Sequence, residues 1–391
     1  MRERCAPAAS LPDMNILISG ASIGGPALAY WLTRHGFDVT IVERSNGLRP
    51  GGQAIDVRGP ALDVAARMGL LEEIRAHRVQ MRGMSMVDGE GNEVYRSEEH
   101  TFTGGELAGP DIEILRDDLS QILAKAAGEV GYLFGDSIKE IVQDGRGAHV
   151  TFDSGLRRTF DVVVGADGLH SNTRSLVFGP ESRFIRHLGT YLSVWTAPNI
   201  LGLDRWQIFH QMPGSGWGGG VMSVRGNSEA RVYMGFESEP IAFDHRDVEA
   251  QKRILRDRLG GAGWVFPELL EHMWGAEDFH LDAMAQIHMD SWSSGRVALL
   301  GDAGYCGSPL SGQGTSMAMV GAYVLAGELA AARGDHTAAF AAYERELRDY
   351  VRGNQELALT NKARVEAQQA GEEYRGEDFG EVVGRLSLKD Y

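Results

Sequence analysis

Cysteine is nearly absent from this chain of 391 residues: Cys5 and Cys306 are the only two. Two cysteines cannot build a disulfide framework or a multi-cysteine zinc centre. Positive charge is short too, with 38 Lys and Arg against 54 Asp and Glu, a net charge of −16. That balance argues against nucleic acid or an anionic membrane surface as the main partner. It does not exclude phosphate ligands, because helix N-termini bind them without net positive charge. No apolar run is long enough to span a bilayer. The best candidate, 316–331, contains Glu328 and reads as a buried helix. Residues 1–13 lack an apolar core of signal-peptide length and read as a disordered lead-in, which makes the cytoplasm the expected compartment. Repeats, low-complexity tracts and histidines at metal-ligand spacing are missing as well, so no metal is expected.

Glycine is abundant instead. The 51 glycines are about 13% of the chain, against an average near 7%. They follow no collagen-like period, so their clusters predict tight turns and close backbone approach to a ligand. Three clusters stand out, each after an apolar strand and before a helical stretch. The first is Gly20-Ala-Ser-Ile-Gly-Gly25, between the strand at 15–19 and the helix at 26–35. A second strand, 37–42, then ends in Glu43-Arg44. Strand, glycine turn, helix and strand within about 30 residues form a βαβ unit of the dinucleotide-binding type. Gly20 permits the tight turn, and Gly25 lets the helix pack on the strand. The N–H groups of Ser22, Ile23 and Gly24 face a pyrophosphate, and Glu43 accepts hydrogen bonds from a ribose. Ser22 stands where such fingerprints carry their middle glycine. The second cluster is Gly165-Ala-Asp-Gly-Leu-His-Ser-Asn-Thr-Arg174, and the third runs from Gly301-Asp-Ala303 to Gly312-Gln-Gly314.

Around these turns the sequence predicts a loop at 45–60, a helix at 60–76, a hairpin at 84–95 and a helix at 113–127. Short aromatic-rich runs between 180 and 285 predict an antiparallel sheet, interrupted by a helix at 246–259. Helices are expected at 313–332 and 336–368. The predicted organisation is interleaved. An α/β, Rossmann-like domain takes 14–80, 100–180 and 290–335. An antiparallel-sheet substrate domain takes 81–99 and 181–289. A C-terminal helix occupies 336–370, crossing between domains or pairing with another chain, and a loosely ordered polar tail takes 371–391.

The three turns, in this order and at these separations, resemble the aromatic-hydroxylase group of FAD-dependent monooxygenases related to para-hydroxybenzoate hydroxylase. The resemblance covers about 14–370, and within the group it is similar to tetracycline-inactivating and antibiotic-tailoring members. It implies that Gly20, Ser22, Ile23, Gly24, Gly25, Glu43 and Arg44 hold the ADP half of FAD. Arg116 would contact the flavin's polar chain, Asp167 and Gly168 would serve FAD and NAD(P)H, and Gly301 and Asp302 the ribityl–pyrophosphate region. Pro309, Gly312, Gln313 and Gly314 would line the isoalloxazine, with the backbone of the last three stabilising the reduced flavin's negative charge. Asp56 and Arg58 would touch flavin or substrate, or else form a solvated loop pair. The group often has His at Tyr305 and Asn at Ser316; these departures leave the backbone roles intact.

The implied reaction consumes NADPH or NADH and O₂ and hydroxylates an aromatic or polycyclic small molecule through a flavin hydroperoxide. The implied protein is a monomer or weak homodimer. Candidate substrate-facing residues are Gln207, Phe209, His210, Gln211, Trp217, Met222, Arg225, Tyr233 and Phe236, with Arg58. Strand alternation sends about half of such residues into the core. His210 reads rather as a satisfied structural histidine, and Arg225 could be a surface charge. Two other readings stay open, a halogenase or reductase on this fold and a non-catalytic FAD-binding module. Trp264-Val-Phe-Pro267 is the nearest stretch to the halogenase Trp-x-Trp-x-Ile-Pro signature and lacks its second Trp.

Overall fold

Six strands carry the nucleotide-binding half of the protein. The computed structural model describes residues 14–211, 216–369 and 386–391. Across the sheet the order is Ser293–Ser294, Val297–Leu299, Val162–Gly165, Asn15–Ser19, Asp38–Glu43 and Gly131–Phe134. All neighbours run parallel except the short first strand, which pairs antiparallel with the second. The central strands are near-continuous apolar runs because both faces are covered. Helix Gly24–Arg34 buries Leu28, Trp31 and Leu32 on one face. Helix Gly314–Ala331 packs beside it and is apolar on all sides, as a helix enclosed in a core must be. Each fully buried Leu or Val there contributes about 1.5–3 kcal/mol.

A seven-stranded sheet forms the second half. Its order is His280–Ile287, Ile185–Pro198, Glu229–Glu237, Trp217–Val224, Trp206–Gln211, Gly83–Val87 and Glu93–Ser97. Helices Val248–Leu259 and Phe266–Met273 cover one face and close a core with Trp195, Val232, Met234 and Phe236. The second of these helices was not expected from the sequence. Phe266 and Pro267 open it, in the stretch weighed above as a halogenase-like motif.

Several local expectations need correction. The loop at 45–60 contains strand Ala54–Val57, paired antiparallel with Ile112–Leu115. The helix expected from 113 therefore starts at Arg116, after an extended Leu115. The expected helix at 60–76 is two helices, Pro60–Arg67 and Leu71–Ala76, because Gly69 adopts φ 73° between them. Helix His336–Gln369 packs on Gly314–Ala331 and reaches the inserted sheet, where Gln355 Nε2 donates to the Ile287 carbonyl at 2.8 Å. It thus crosses between the halves, one of the two readings left open. Residues 386–391 depart from the loosely ordered tail expected from 371. The Lys389 ammonium pairs with Glu328 and Glu346, and the Tyr323 hydroxyl donates to the Lys389 carbonyl at 2.6 Å. No described helix is long and apolar enough to cross a membrane.

Candidate functional site

The sheet order sets the C-terminal ends of Val297–Leu299, Val162–Gly165 and Asn15–Ser19 side by side, and each runs into one of the three glycine turns. This is where open α/β sheets bind their ligands. The turns touch one another. Gly20 has φ 107°, and a Cβ there would fall on the Ala166 carbonyl of the second turn. A Cβ on Gly24 would meet Leu300 and Ala318 beside the third turn at an ordinary 3.4 and 3.7 Å. Gly168 and Gly301 also have positive φ, 82° and 62°.

The residues present fit an elongated dinucleotide such as FAD. Helix Gly24–Arg34 has no side-chain cap at Ile23 and no acidic residue in its first turn, so its positive end is open to an anion. The Glu43 carboxylate is held by the N–H groups of Ala21, at 2.8 Å, and Ser45, at 2.9 Å. These occupy two of its acceptor positions and leave others for hydroxyls. Arg44 beside it is exposed. Ser120 Oγ donates to the Ser22 carbonyl at 3.2 Å and ties helix Arg116–Ala127 to the first turn. Arg116 is buried, and its Nη2 donates to the carbonyls of Arg49, Pro50 and Gly51. Its Nε is buried with no partner among the described residues. Burial pushes its pKa down to about 10, still fully charged at neutral pH.

At the third turn, Gly312 is left-handed at φ 63°, and helix Gly314–Ala331 again starts without a side-chain cap or an acidic first turn. Gln313 Oε1 is buried and unpartnered among the described residues. Asp302 Oδ1 stands 3.9 Å from the Cβ position of Gly314, and burial raises its pKa. Pro309 is exposed at the rim. Asp167 behaves differently from its expected cofactor role. Its carboxylate accepts from Ser19 Oγ, Ser171 Oγ and both the N–H and Oγ1 of Thr173, so here it braces the second turn from within.

The inserted sheet sorts the substrate candidates by face. Gln207, Phe209, Met222 and Tyr233 point towards the strand pair Ala54–Val57 and Ile112–Leu115. Tyr233 Oη accepts the Ala54 N–H at 3.1 Å, and Met222 packs with Leu115 and Tyr233. His210 alternates to the other face, against Trp264 and Phe266, with Nδ1 3.2 Å from the Val87 carbonyl. Phe236 lies on that face too, stacked with Tyr191 in the core under the helices. Neither faces the glycine turns; this corrects the lining role expected of Phe236, and for His210 it agrees with the structural reading the sequence favoured over a lining one. Arg225 is held by Asp117 and Asp118 at 2.7–2.9 Å, a surface ion-pair role and not a lining one. The side chains of Gln211 and Trp217 lie outside the described residues. Asp56 and Arg58 form an ion pair at 3.0 Å that is mostly buried, not solvated. The Arg58 guanidinium reaches within 3.4 Å of the Cβ position of Gly312.

Several residues escaped the sequence reading. Asp278 fastens the 51–52 loop to the inserted sheet, accepting from Gly52 N–H and from Thr196 N–H and Oγ1. A flap at 100–106 places Thr103 and Phe102 over Gln207, whose Nε2 donates to Thr103 Oγ1 and whose Oε1 accepts the Phe102 N–H. Phe102 stacks on Phe209 at 4.0 Å. Glu113 faces Asp56 across the strand pair. None sits in a motif; only strand register and turn packing bring them in.

Between the two halves a cleft of about 410 Å³ is lined by Arg44, Arg49, Arg116 and Arg246, by the acids Glu277 and Asp278, and by His280, whose pKa burial pushes down to about 4. Beside it, His170 links the halves. Its ring nitrogens lie 2.9 Å from Glu181 and 3.0 Å from Asp282, and its ring stacks on His245 at 3.6 Å. Burial opposes the charged form, but the hydrogen bonds to Asp282 and Glu181 outweigh it and push the pKa up to about 9.

Comparison with known proteins agrees with this arrangement. Residues 13–357 match the FAD binding domain family. An uncharacterised protein of Mycobacterium tuberculosis is 52% identical over 377 residues, covering 96% of this chain and 99% of that one. A flavin-dependent monooxygenase of Legionella longbeachae is 39% identical over 350 residues, covering 89% and 88%. Among solved structures, that of the tetracycline destructase Tet(51) superposes with a TM-score of 0.86 at 36% identity, covering 97% of this chain and all of that one.

Proposed function

The chain belongs to the FAD-binding-domain family of flavin-dependent monooxygenases, and we propose that it hydroxylates an aromatic or polycyclic, tetracycline-like small molecule at the expense of NADPH or NADH. The observation that carries the substrate reading is the inner face of the inserted sheet. Phe209, Met222 and Tyr233 make it apolar, with one amide, Gln207, and all four are buried beneath the strand pair Ala54–Val57 and Ile112–Leu115 and the 100–106 flap. Such a face suits a flat, mostly apolar ring system with a few polar groups. The likeness to a tetracycline destructase supports the same class.

When bound, FAD supplies the chemistry, accepting a hydride from the nicotinamide and passing one atom of O₂ to the substrate. The protein's residues bind, orient and shield. Gly20 to Gly25 and the open end of helix Gly24–Arg34 hold the pyrophosphate, and Glu43 holds the adenosine ribose. Arg116 and Asp302 flank the polar chain. The open N-terminus of helix Gly314–Ala331, reached through Gly312 and Gln313, favours negative charge at the isoalloxazine position by preorganised dipoles. Gln207 and the flap residues Phe102 and Thr103 close the substrate face and keep water out. A nicotinamide dinucleotide would approach through the cleft between the halves, where Arg49 and Arg246 would meet its phosphates, Arg44 being taken by the ADP half of FAD. In a chain of net charge −16, a cleft whose four arginines outnumber Glu277 and Asp278 favours an anionic ligand there. The enzyme works in the cytoplasm as a monomer or weak homodimer, without nucleic acid or membrane as a partner.

The test is a visible spectrum of the purified protein, then NADPH and NADH oxidation with and without tetracycline and a panel of phenolic polyketides. Flavin bands with substrate-stimulated oxidation support the reading. Flavin bands with no stimulation by any phenol or polycycle refute the substrate class.

A further inference from the structure

The cluster around His170 holds a donor set that the roles above do not use. His170 follows the second glycine turn, in the nucleotide-binding half. Asp282 lies on strand His280–Ile287 of the inserted sheet, and His245 stands just before helix Val248–Leu259. One ligand atom from each of the three lies within 4.8 Å of the others. His170 Nε2 is 3.0 Å from Asp282 Oδ1, and the His170 ring stacks on His245 at 3.6 Å between centroids. His170 and Asp282 are 112 positions apart in the chain. Ligand spacing along the sequence therefore cannot find this set, and the expectation of no metal, drawn from spacing, does not reach it.

Three features make the set a ligand cage and not a chance meeting. Two imidazoles with one carboxylate suit zinc and its neighbours, not magnesium or calcium. Tetrahedral zinc, with bonds of about 2.0–2.2 Å, keeps its ligand atoms about 3.3 Å apart, close to the His170–Asp282 separation. Drawing the set in from 4.8 Å takes at most about 1.5 Å, and the His245 side chain is exposed. Next, a metal-bound histidine characteristically gives its other N–H to a carboxylate, which fixes the ring. His170 Nδ1 lies 2.9 Å from Glu181 Oε1, and Glu181 Oε2 in turn accepts from the fully buried Arg174 at 2.7 Å. That pair aims Nε2 at the ion's position. Finally, His280 is two residues from Asp282 on the same strand face, with Nε2 3.8 Å from Asp282 Oδ2, and offers a further nitrogen.

We propose that His170, His245 and Asp282 bind a divalent transition-metal ion, Zn²⁺ above all, which ties the nucleotide-binding half to the inserted sheet. Binding does not depend on the monooxygenase reading. In the step, His170 Nε2 releases its proton to solvent and gives its lone pair to the ion, and nothing is oxidised or reduced. The ion would sit at the edge of the cleft, because His245 and His280 line that cleft beside Arg246. The other ligands are ready for it. Burial works against the Asp282 carboxylate, but the hydrogen bond and charge of His170 outweigh it and keep it ionised. Burial, then the charge of His170, lowers the His245 pKa and leaves a neutral ring. Only His170 must lose a proton, and its pKa of about 9 makes the affinity rise with pH. The charged and titratable groups facing the set are Glu181, Asp244 and Asp302, with His280, Arg49 and Arg116 on the cleft side.

The test titrates the FAD-loaded protein, first stripped with a chelator, with ZnCl₂ by calorimetry. One ion should bind per chain, and the affinity should rise about tenfold between pH 7 and pH 8, with one proton released. His245→Ala removes an exposed ring, so folding and FAD content should hold while Zn²⁺ binding weakens about 100-fold. His170→Asn should weaken it as much, and Glu181→Gln, which loses only the carboxylate behind the ligand, about 10–100-fold. His77→Ala, a change at another exposed histidine, should bind as wild type does. Zn²⁺ should raise the melting temperature of wild type but of neither ligand variant, because an ion held by one half alone ties nothing together. Co²⁺ should add absorption to the red of the flavin bands in wild type only. No saturable binding up to pH 8, or binding in His245→Ala and His170→Asn as tight as in wild type, overturns the proposal. A loss in His77→Ala as large as in His245→Ala would mean scattered surface histidines and overturn it too. The binding arms need no turnover. An ion held by these residues in a protein that oxidises no NADPH would therefore sink the hydroxylation reading and leave the metal site standing.

Discussion

Gly24 and Gly25 are neighbours in one turn, yet their replacement by alanine should have opposite consequences. A Cβ on Gly25 would stand 1.9 Å from the Gly20 carbonyl oxygen, where real Cβ atoms keep at least 3.0 Å. The obstacle is backbone, so helix Gly24–Arg34 must move off strand Asn15–Ser19 by about 1.1 Å. Overpacking of this kind costs about 1–3 kcal/mol of stability. The same movement draws the helix N–H groups away from the phosphates they serve. Losing a well-placed helix terminus is worth up to about 2 kcal/mol, about thirtyfold in Kd for FAD. Gly24 differs: its Cβ would meet Leu300 and Ala318 at ordinary contact distance, and its φ is not left-handed. Alanine there should be neutral, or mildly stabilising through helix propensity. Gly47→Ala, with nothing within 4 Å, serves as a control. The assay is thermal unfolding with and without FAD, with Kd from quenching of flavin fluorescence. At an FAD concentration of about 100 wild-type Kd, the cofactor adds about 2.7 kcal/mol, and in Gly25→Ala this should shrink to about 1 kcal/mol. Full FAD affinity in Gly25→Ala, or loss of FAD in Gly24→Ala with Gly25→Ala intact, would refute the packing argument.

Three further outcomes are expected. Asp302→Ala should weaken FAD retention, read as visible absorbance per protein on purification; undiminished retention would count against placing the cofactor at the third turn. Gln207→Leu leaves the Phe102 N–H and Thr103 Oγ1 without their partner and should loosen the flap by about 1–3 kcal/mol. Its signature is a raised KM for the polycyclic substrate and faster peroxide release, with FAD content unchanged. His170→Asn should change how stability depends on pH. Because the folded state raises the His170 pKa from 6.5 to about 9, the clamp stabilises fully below pH 6.5 and fades as pH rises through about 9. The melting temperature of wild type should therefore fall across that window more steeply than that of the variant, and parallel curves would remove His170 as the cause.

The cofactor half was legible in the sequence because its signals are local. A turn that needs Gly20 and Gly25, an apolar strand before it and an acid at the end of the next strand all lie within 30 residues, and backbone geometry dictates them directly. The substrate half was not legible to the same degree. His210 and Phe236 look like lining residues until the register places them on the helix-covered face, and a shift of one residue would have exchanged them with Phe209 and Tyr233. Glu113 and Asp56 were hidden for a related reason. The segment 112–115 reads as the start of a helix, because Leu119, Ile122 and Leu123 continue a helical stripe beyond it. Only its pairing with Ala54–Val57 turns Glu113 towards the site.

The distribution of charge shows how an acidic chain can serve anionic ligands. Its net charge is −16, but the first turns of the two helices that open from the first and third glycine turns carry no acid at all. Other helices do place acids there: Glu72 and Glu73, Asp117 and Asp118, and Glu268. Those acids satisfy their own helix dipoles, and Asp117 and Asp118 also take up Arg225. The two open helix ends are thus positive positions that no acid in their own first turns neutralises. If that reading is right, Ser22→Asp should reduce FAD retention far more than Gly47→Asp, an equal change of charge a short way beyond the second strand. Equal effects in visible absorbance per protein would mean that net charge, and not these open helix ends, governs cofactor binding.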